Sequence, residues 1–268
     1  MPDLTPSNAV HSLELDLTRA QEIAERGLIL RTTVGSVVHG LSNLGTDDRD
    51  ELGVCIEPPE YLLGFRRFEH FAYRTQPEGR PSGPGDLDLT VYGLRKYCRL
   101  ALKGSPTTLL PLFVRGDDVI ARTSAGEELQ ALAGAFVARS TGRAFRGYLD
   151  AQRRGLLGER HATRTRERSR EHGYDTKYAM HALRIGYQGV ELLETGRITL
   201  PVPEPQRTTL RAVRAGTVPL GEVLALIERV DAELDAAGET SGLPDTPDVD
   251  AVDRFAVRAY RAAWDARR

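Results

Sequence analysis

The sequence predicts an α+β protein in which a half containing the strands is followed by an all-helical half. Three observations carry this. Runs rich in β-branched and aliphatic residues, such as Leu28-Ile29-Leu30-Arg31-Thr32-Thr33-Val34, recur through the first third of the chain. After Tyr92 the apolar period changes from two to that of a helix. From residue 123 onward apolar residues return at helical spacing almost to the end. We place the first domain at residues 1–120 and the helical domain at 121–268.

Residues 1–12 read as lacking fixed structure, and 17–26 as a short helix. Strands are expected at 28–34, 51–56, about 68–75 and 86–92. Between the last two, Pro77-Glu78-Gly79-Arg80-Pro81-Ser82-Gly83-Pro84-Gly85 holds residues that continue neither helix nor strand. It reads equally as a lid beside a site and as a tolerated surface insertion. Leu94, Tyr97, Cys98, Leu100, Ala101 and Leu102 then form a helical stripe, with Arg95, Lys96, Arg99 and Lys103 on the other side. Gly104 ends this helix and Pro106 starts another. Further helices are expected at 123–154, 175–195, 206–214, 219–237 and 249–266, with a loop at 241–247 before the last.

The chemically informative residues sit between the first two strands. Gly35-Ser36 follows the first strand directly, where glycine lets backbone N–H groups approach an anion and the serine adds a hydroxyl donor. Asp48 and Asp50 lie thirteen and fifteen residues after Gly35, at period two, so an extended strand turns both carboxylates to one face. Asp47 would share its face with Arg49, which cannot bind a cation. Two acids in this arrangement suit Mg²⁺, which takes one or two carboxylates together with phosphate oxygens. Such a site serves nucleotidyl transfer from a nucleoside triphosphate, completed by a third carboxylate on a neighbouring strand. Asp86 and Asp88 share a strand face, and the residues alone do not choose between them.

Four segments, G-S-V-V-H-G, T-D-D-R-D-E-L-G-V, D-L-T-V-Y-G-L-R-K-Y-C-R-L-A-L-K-G-S-P-T and G-Y-D-T-K-Y-A-M-H-A-L-R, resemble the DNA polymerase β-like nucleotidyltransferase superfamily. More narrowly they are similar to a family of predicted nucleotidyltransferases of bacteria and phages. The resemblance covers residues 28–184 and implies a small mixed-sheet palm domain followed by a helical one. It implies that Gly35 and Ser36 contact phosphate, that Asp48, Asp50 and Asp88 are the metal-binding and catalytic acids, and that Asp88 helps deprotonate the acceptor hydroxyl. Mg²⁺ is the implied ion, with Mn²⁺ as the alternative. Two positions depart from the pattern: Arg49 stands where an apolar residue is usual, and Ser105 where an Asn commonly precedes the proline.

Lys177, His181 and Arg184 fall at i, i+4 and i+7 of an expected helix, a cationic comb that could face the cleft and bind nucleotide. The competing reading is a hydrogen-bonded core histidine. His39 reads as structural. The stretch from Arg139 to Arg170 carries ten arginines against Asp150, Glu159 and Glu167, and suits either phosphate groups or a solvated face. Gly35-Ser36 could likewise be an ordinary turn, and 47–50 a solvated acidic loop.

Composition selects little. The 268 residues are 40% hydrophobic and 28% charged with net charge −2, enough for a sizeable core and no global case for wrapping nucleic acid. No apolar run is long enough to span a membrane, and Met1-Pro2-Asp3-Leu4 does not open a secretion signal. Cys55 and Cys98 read as reduced core thiols, and the expected compartment is the cytoplasm. The expected function is Mg²⁺-dependent transfer of NMP from an NTP to an RNA end, a protein hydroxyl or a small molecule. The alternative is a catalytically silent nucleotide- or RNA-binding protein on the same fold. A ribonuclease built on Arg154 and His161 ranks last, because Gly155 and Gly158 weaken a helix between them.

Overall fold

A computed structural model describes residues 15–42, 48–76, 83, 85–158 and 171–266. The segments 1–12 and most of 77–85, together with Asp47, His161 and the arginines from Arg160 to Arg170, lie outside the described residues.

The architecture is α+β. Helix α1 (Leu17–Arg26) starts at Asp16, whose carboxylate accepts from the Arg19 amide at 2.8 Å. It is followed by β1 (Leu28–Val34), the single turn α2 (Gly35–Val38), β2 (Arg49–Cys55), α3 (Pro59–Leu62), β3 (His70–Arg74) and β4 (Leu87–Gly93). Next come α4 (Leu94–Leu102), α5 (Pro106–Leu109) and β5 (Val119–Arg122). The five strands form one mixed sheet in the order β3-β4-β2-β1-β5, with β2 and β4 parallel and the other pairs antiparallel.

Strand β5 is a correction to the expected elements. Val119-Ile120-Ala121-Arg122 is too short to show a period, and only its partner β1 organises it. The division expected at residue 120 therefore falls inside a sheet strand.

Both faces of the sheet are covered. Ala20, Ile23 and Ala24 of α1 pack with Cys55, Phe71, Leu89 and Val91 on one face. On the other, Leu30, Val34, Leu52 and Val54 join a continuous cluster that runs into the helical half through Phe136, Phe145, Leu149 and Leu183. Burying each such side chain contributes roughly 1.5–3 kcal/mol, so this shared core strongly favours holding the sheet against the helices.

The helical half consists of α6 (Ser124–Ala131), α7 (Arg139–Leu156), α8 (Thr176–Thr195), α9 (Gln206–Arg214), α10 (Leu220–Thr240) and α11 (Val249–Asp265). The single helix expected over 123–154 is broken. Helix α7 starts afresh because its first amides find distant partners, Arg139 N donating to Pro244 O at 2.8 Å and Ser140 N to Asp245 O at 3.2 Å. Central helix α8 packs closely on α7 and α10, with Gly186 against Val230 and Leu149, and Gly189 against Phe145 and Leu234.

The last helix is sewn back to the sheet. Buried Glu57 accepts from the Leu94 amide at 3.1 Å, capping α4, while Trp264 Nε1 donates to the Glu57 carbonyl at 3.0 Å. The Tyr260 hydroxyl accepts from the Arg95 amide at 3.0 Å. Cys55 and Cys98 are both buried and are not joined in a disulfide. Among the described residues, no helix is long and apolar enough to cross a membrane.

Candidate active site

Register across the sheet assembles the site. Asp50 pairs with Val34 on one side and with Asp88 on the other, and Asp88 in turn pairs with Arg74. One transverse row therefore reads Arg74, Asp88, Asp50, Val34, and its side chains share a face because alternation is strict within a pleat. Asp48 stands one residue before β2, so the strand itself carries only Asp50 of the pair.

Gly35 turns the chain just past Val34 with φ +72°. A side chain there would overlap the Asp50 carboxylate and bring its Cβ to 2.9 Å from that of Asp50. Both the left-handed backbone and the approach of a carboxylate onto bare main chain thus require glycine. Ser36 follows on the first turn of α2.

The acids crowd one another. Burial first, then the charges of Asp48 and Asp88, push the Asp50 carboxyl up to about 6, opposed by Lys177 and Arg74. Asp88 is held by Arg74 at 2.7 Å. Asp86, the other acid of that segment, precedes β4 and is consumed locally. Its carboxylate accepts from Gly83 N at 2.8 Å, Thr75 Oγ1 at 2.8 Å and Gln76 Nε2 at 3.0 Å. These bonds hold it below the usual carboxylate range, the Gly83 amide contributing most.

Arg49 points the other way. It reaches Glu51 Oε1 at 2.7 Å, and Arg31 holds the second oxygen of this buried carboxylate. The departure from the apolar pattern between the acids thus belongs to an ion-paired cluster on the opposite face.

Asp50 and Asp88 open onto a cleft of about 330 Å³ between the sheet and the helical half. Gly35, Thr90 and Tyr92 line it from the sheet side, and Pro106, Tyr148, Arg184 and Ile185 from the helices. Tyr92 lies in the D-L-T-V-Y-G segment, whereas Tyr148 carries no local motif. The one hint for Tyr148 is an aromatic ring off the Phe145 and Leu149 stripe of α7.

The cationic comb divides. Lys177, exposed on the first turn of α8, is near enough for its charge to favour the ionised form of Asp50. Arg184 turns its guanidinium inward, bonding His39 Nε2 and Gln188 Oε1, each at 2.9 Å, and His181 Nδ1 at 3.3 Å. Burial lowers Arg184 to about 10 and pushes His39 well below the usual histidine range, Arg184 and His181 adding to the latter. His39 caps the end of α2, so this network ties the turn bearing Gly35 and Ser36 to α8.

Of the described arginines between 139 and 170, three are engaged within the helical half. Arg139 pairs with Asp245, Arg146 with Asp231 and Asp235, and Arg153 with Glu228. Among the described residues, no group of three or more His, Cys, Asp or Glu side chains converges to hold a metal ion. The donor set nevertheless fits a hard cation: carboxylate oxygens, a raised Asp50 carboxyl and like charges in one row. Asp88 is at the same time paired with Arg74.

A nucleotidyltransferase-like protein from Exiguobacterium sibiricum 255-15, known from a crystal structure, matches over 91% of this chain and 78% of its own. The identity is 12% and the TM-score 0.30, too low for that likeness to carry weight. No curated protein matches. The family model described as RlaP, RNA repair pathway DNA polymerase beta family, matches residues 10–258. With the sheet, the turn at Gly35 and the acid row inside that span, the chain belongs to the RNA repair pathway DNA polymerase beta family.

Proposed function

We propose that this chain is a divalent-metal-dependent nucleotidyltransferase that moves NMP from an NTP to an acceptor hydroxyl and releases pyrophosphate. The observation that carries the reading is the Asp50 and Asp88 register beside Gly35 in one cleft, with the charge of Lys177 felt at Asp50. Family membership supports the reaction class.

Asp48, Asp50 and Asp88 would hold the metal. Bound there, Mg²⁺ supplies Lewis-acid polarisation of the α-phosphate and offsets charge on the departing pyrophosphate. Gly35 lets the triphosphate approach the main chain, and Ser36 offers its hydroxyl to the terminal phosphates. Lys177 neutralises negative charge as it develops. Tyr92 and Tyr148 offer flat faces for the base. The acceptor oxygen bonds to the α-phosphorus, the bond from that phosphorus to the bridging oxygen breaks, and the hydroxyl proton passes to a carboxylate oxygen of Asp88.

The test is incubation with each α-³²P-labelled NTP and Mg²⁺, with and without RNA and cell extract, for wild type and Asp48→Ala/Asp50→Ala. Label moving only with wild type supports the reading. Turnover retained by a folded double variant would falsify the site. One observation favours the alternative of a catalytically silent nucleotide or RNA binder: Arg74 occupies the third carboxylate. Metal-independent RNA binding with no transfer to any acceptor would select that alternative.

A further inference from the structure

A second pocket, of about 640 Å³, shares no lining residue with the cleft of the acids. One segment serves both: Pro106, Thr107 and Leu110 line the cleft, and Phe113 and Arg115, a few residues on, line the pocket. The rest of its wall comes from the end of α6, the 3₁₀ turn Ala133–Phe136 and the loop after α8. Charge here is one-sided. Arg115 and Arg197 line the pocket, and among the described residues no carboxylate does. Asp117, Asp118 and Glu194 are close in sequence, yet none of them belongs to the wall. Desolvation first, then the charges of Arg122 and Arg197, lower the Arg115 guanidinium from the usual arginine range. Arg122 has an answering acid in Glu127 at 3.8 Å. Among the described residues, Arg115 and Arg197 have none.

Carbonyls fix Arg115 in place. Its Nη1 donates to Leu112 O and Val114 O, each at 2.8 Å. The buried Gln130 amide braces the same turn, donating to Pro111 O at 2.7 Å and to Val114 O at 3.0 Å. Nη2 and Nε of Arg115 are left without a partner among the described residues. Exposed Arg197 stands just past the end of α8, where the helix favours a cation, and its side chain makes no hydrogen bond among them. Proximity to carbonyls explains where each cation sits. It does not explain why two unanswered forks share one cavity.

We propose that this pocket is a phosphate-binding site separate from the catalytic acids. It takes a diphosphate between Arg115 and Arg197, either the free anion or the end of a nucleotide whose flat body lies over Phe113, Ile198 and Leu200. Planar guanidinium forks match phosphate oxygens in paired hydrogen bonds, and a bound anion offsets the repulsion between the cations. The site does not depend on the transferase reading.

The probe is ³²P-labelled pyrophosphate in equilibrium dialysis with EDTA, at about 0.15 M salt to screen diffuse attraction. Arg197→Gln breaks no side-chain bond described above, so its melting temperature should not fall. It should weaken pyrophosphate binding about tenfold or more. Lys177→Gln, beside the catalytic acids, should leave that binding unchanged. Unlabelled ADP and adenosine are then added as competitors. ADP displacing the label better than pyrophosphate does, with adenosine inert, supports the site and assigns it to a nucleotide. Displacement no better than by pyrophosphate supports it and assigns it to the free anion. No binding by wild type, or equal binding by Arg197→Gln, overturns the proposal. Loss with Lys177→Gln but not with Arg197→Gln also overturns it, by placing the anion with the catalytic acids.

Discussion

Asp50 and Asp88 face each other in register across the parallel β2 and β4 pair, with Gly35 closing over the Asp50 carboxylate. Burial of Asp50, followed by the charges of Asp48 and Asp88, makes its ionised carboxylate a standing cost of the metal-free protein.

The first prediction measures that cost. Asp50 is raised to about 6 in the folded state against an unfolded value of about 4. Its folded state favours the protonated form, so stability falls as pH rises from about 4 to about 6 and stays lowered above that. Asp50→Asn removes the charge. Without metal, it should raise the melting temperature by about 2–4 °C at pH 8 and leave it unchanged near pH 3. Equal melting at pH 8 would show that the carboxylate is not strained.

At Gly35 an added methyl group meets both a left-handed backbone and the Asp50 side chain. Gly35→Ala should destabilise the fold by about 1–2 kcal/mol, read by urea denaturation. It should cut nucleotidyl transfer more than Asp50→Glu does, because it displaces both the turn and the carboxylate. A fully active Gly35→Ala would remove the turn from the site.

Arg74 competes with a cation for Asp88. Arg74→Gln should therefore tighten Mn²⁺ binding to the protein about fivefold or more, measured by titration calorimetry. Weaker or unchanged Mn²⁺ binding would mean that Asp88 is not a ligand.

Arg184 anchors His39, Gln188 and His181 from within the fold. Arg184→Met keeps bulk and deletes the donors, leaving buried acceptors without partners. A loss of about 2–3 kcal/mol in denaturant is expected. Because His39 ends the turn that bears Ser36, the Michaelis constant for NTP should rise as well. Undiminished stability would mean that the network contributes nothing to docking the two halves.

Much of the fold was legible because the signals were local. The helix bounds 17–26, 206–214 and the strand 28–34 agree with the structure, each set by a period that five to ten residues suffice to display. The break between α6 and α7 is only partly legible in sequence, because the Pro244 and Asp245 carbonyls that take the first amides of α7 lie about a hundred residues away. The same distance hid Tyr148 in the cleft wall and the bond from Arg184 to His39.

The sequence by itself determined which residue types met: the Gly-Ser turn, the acids at period two and the cations of α8, since spacing along one element is covalent. Only the tertiary structure decided between Asp86 and Asp88 as the partner in register, sent Arg49 to the opposite face, and split Lys177 from Arg184. Those outcomes depend on strand register and helix docking, which are fixed by burial of the shared core rather than by any one segment.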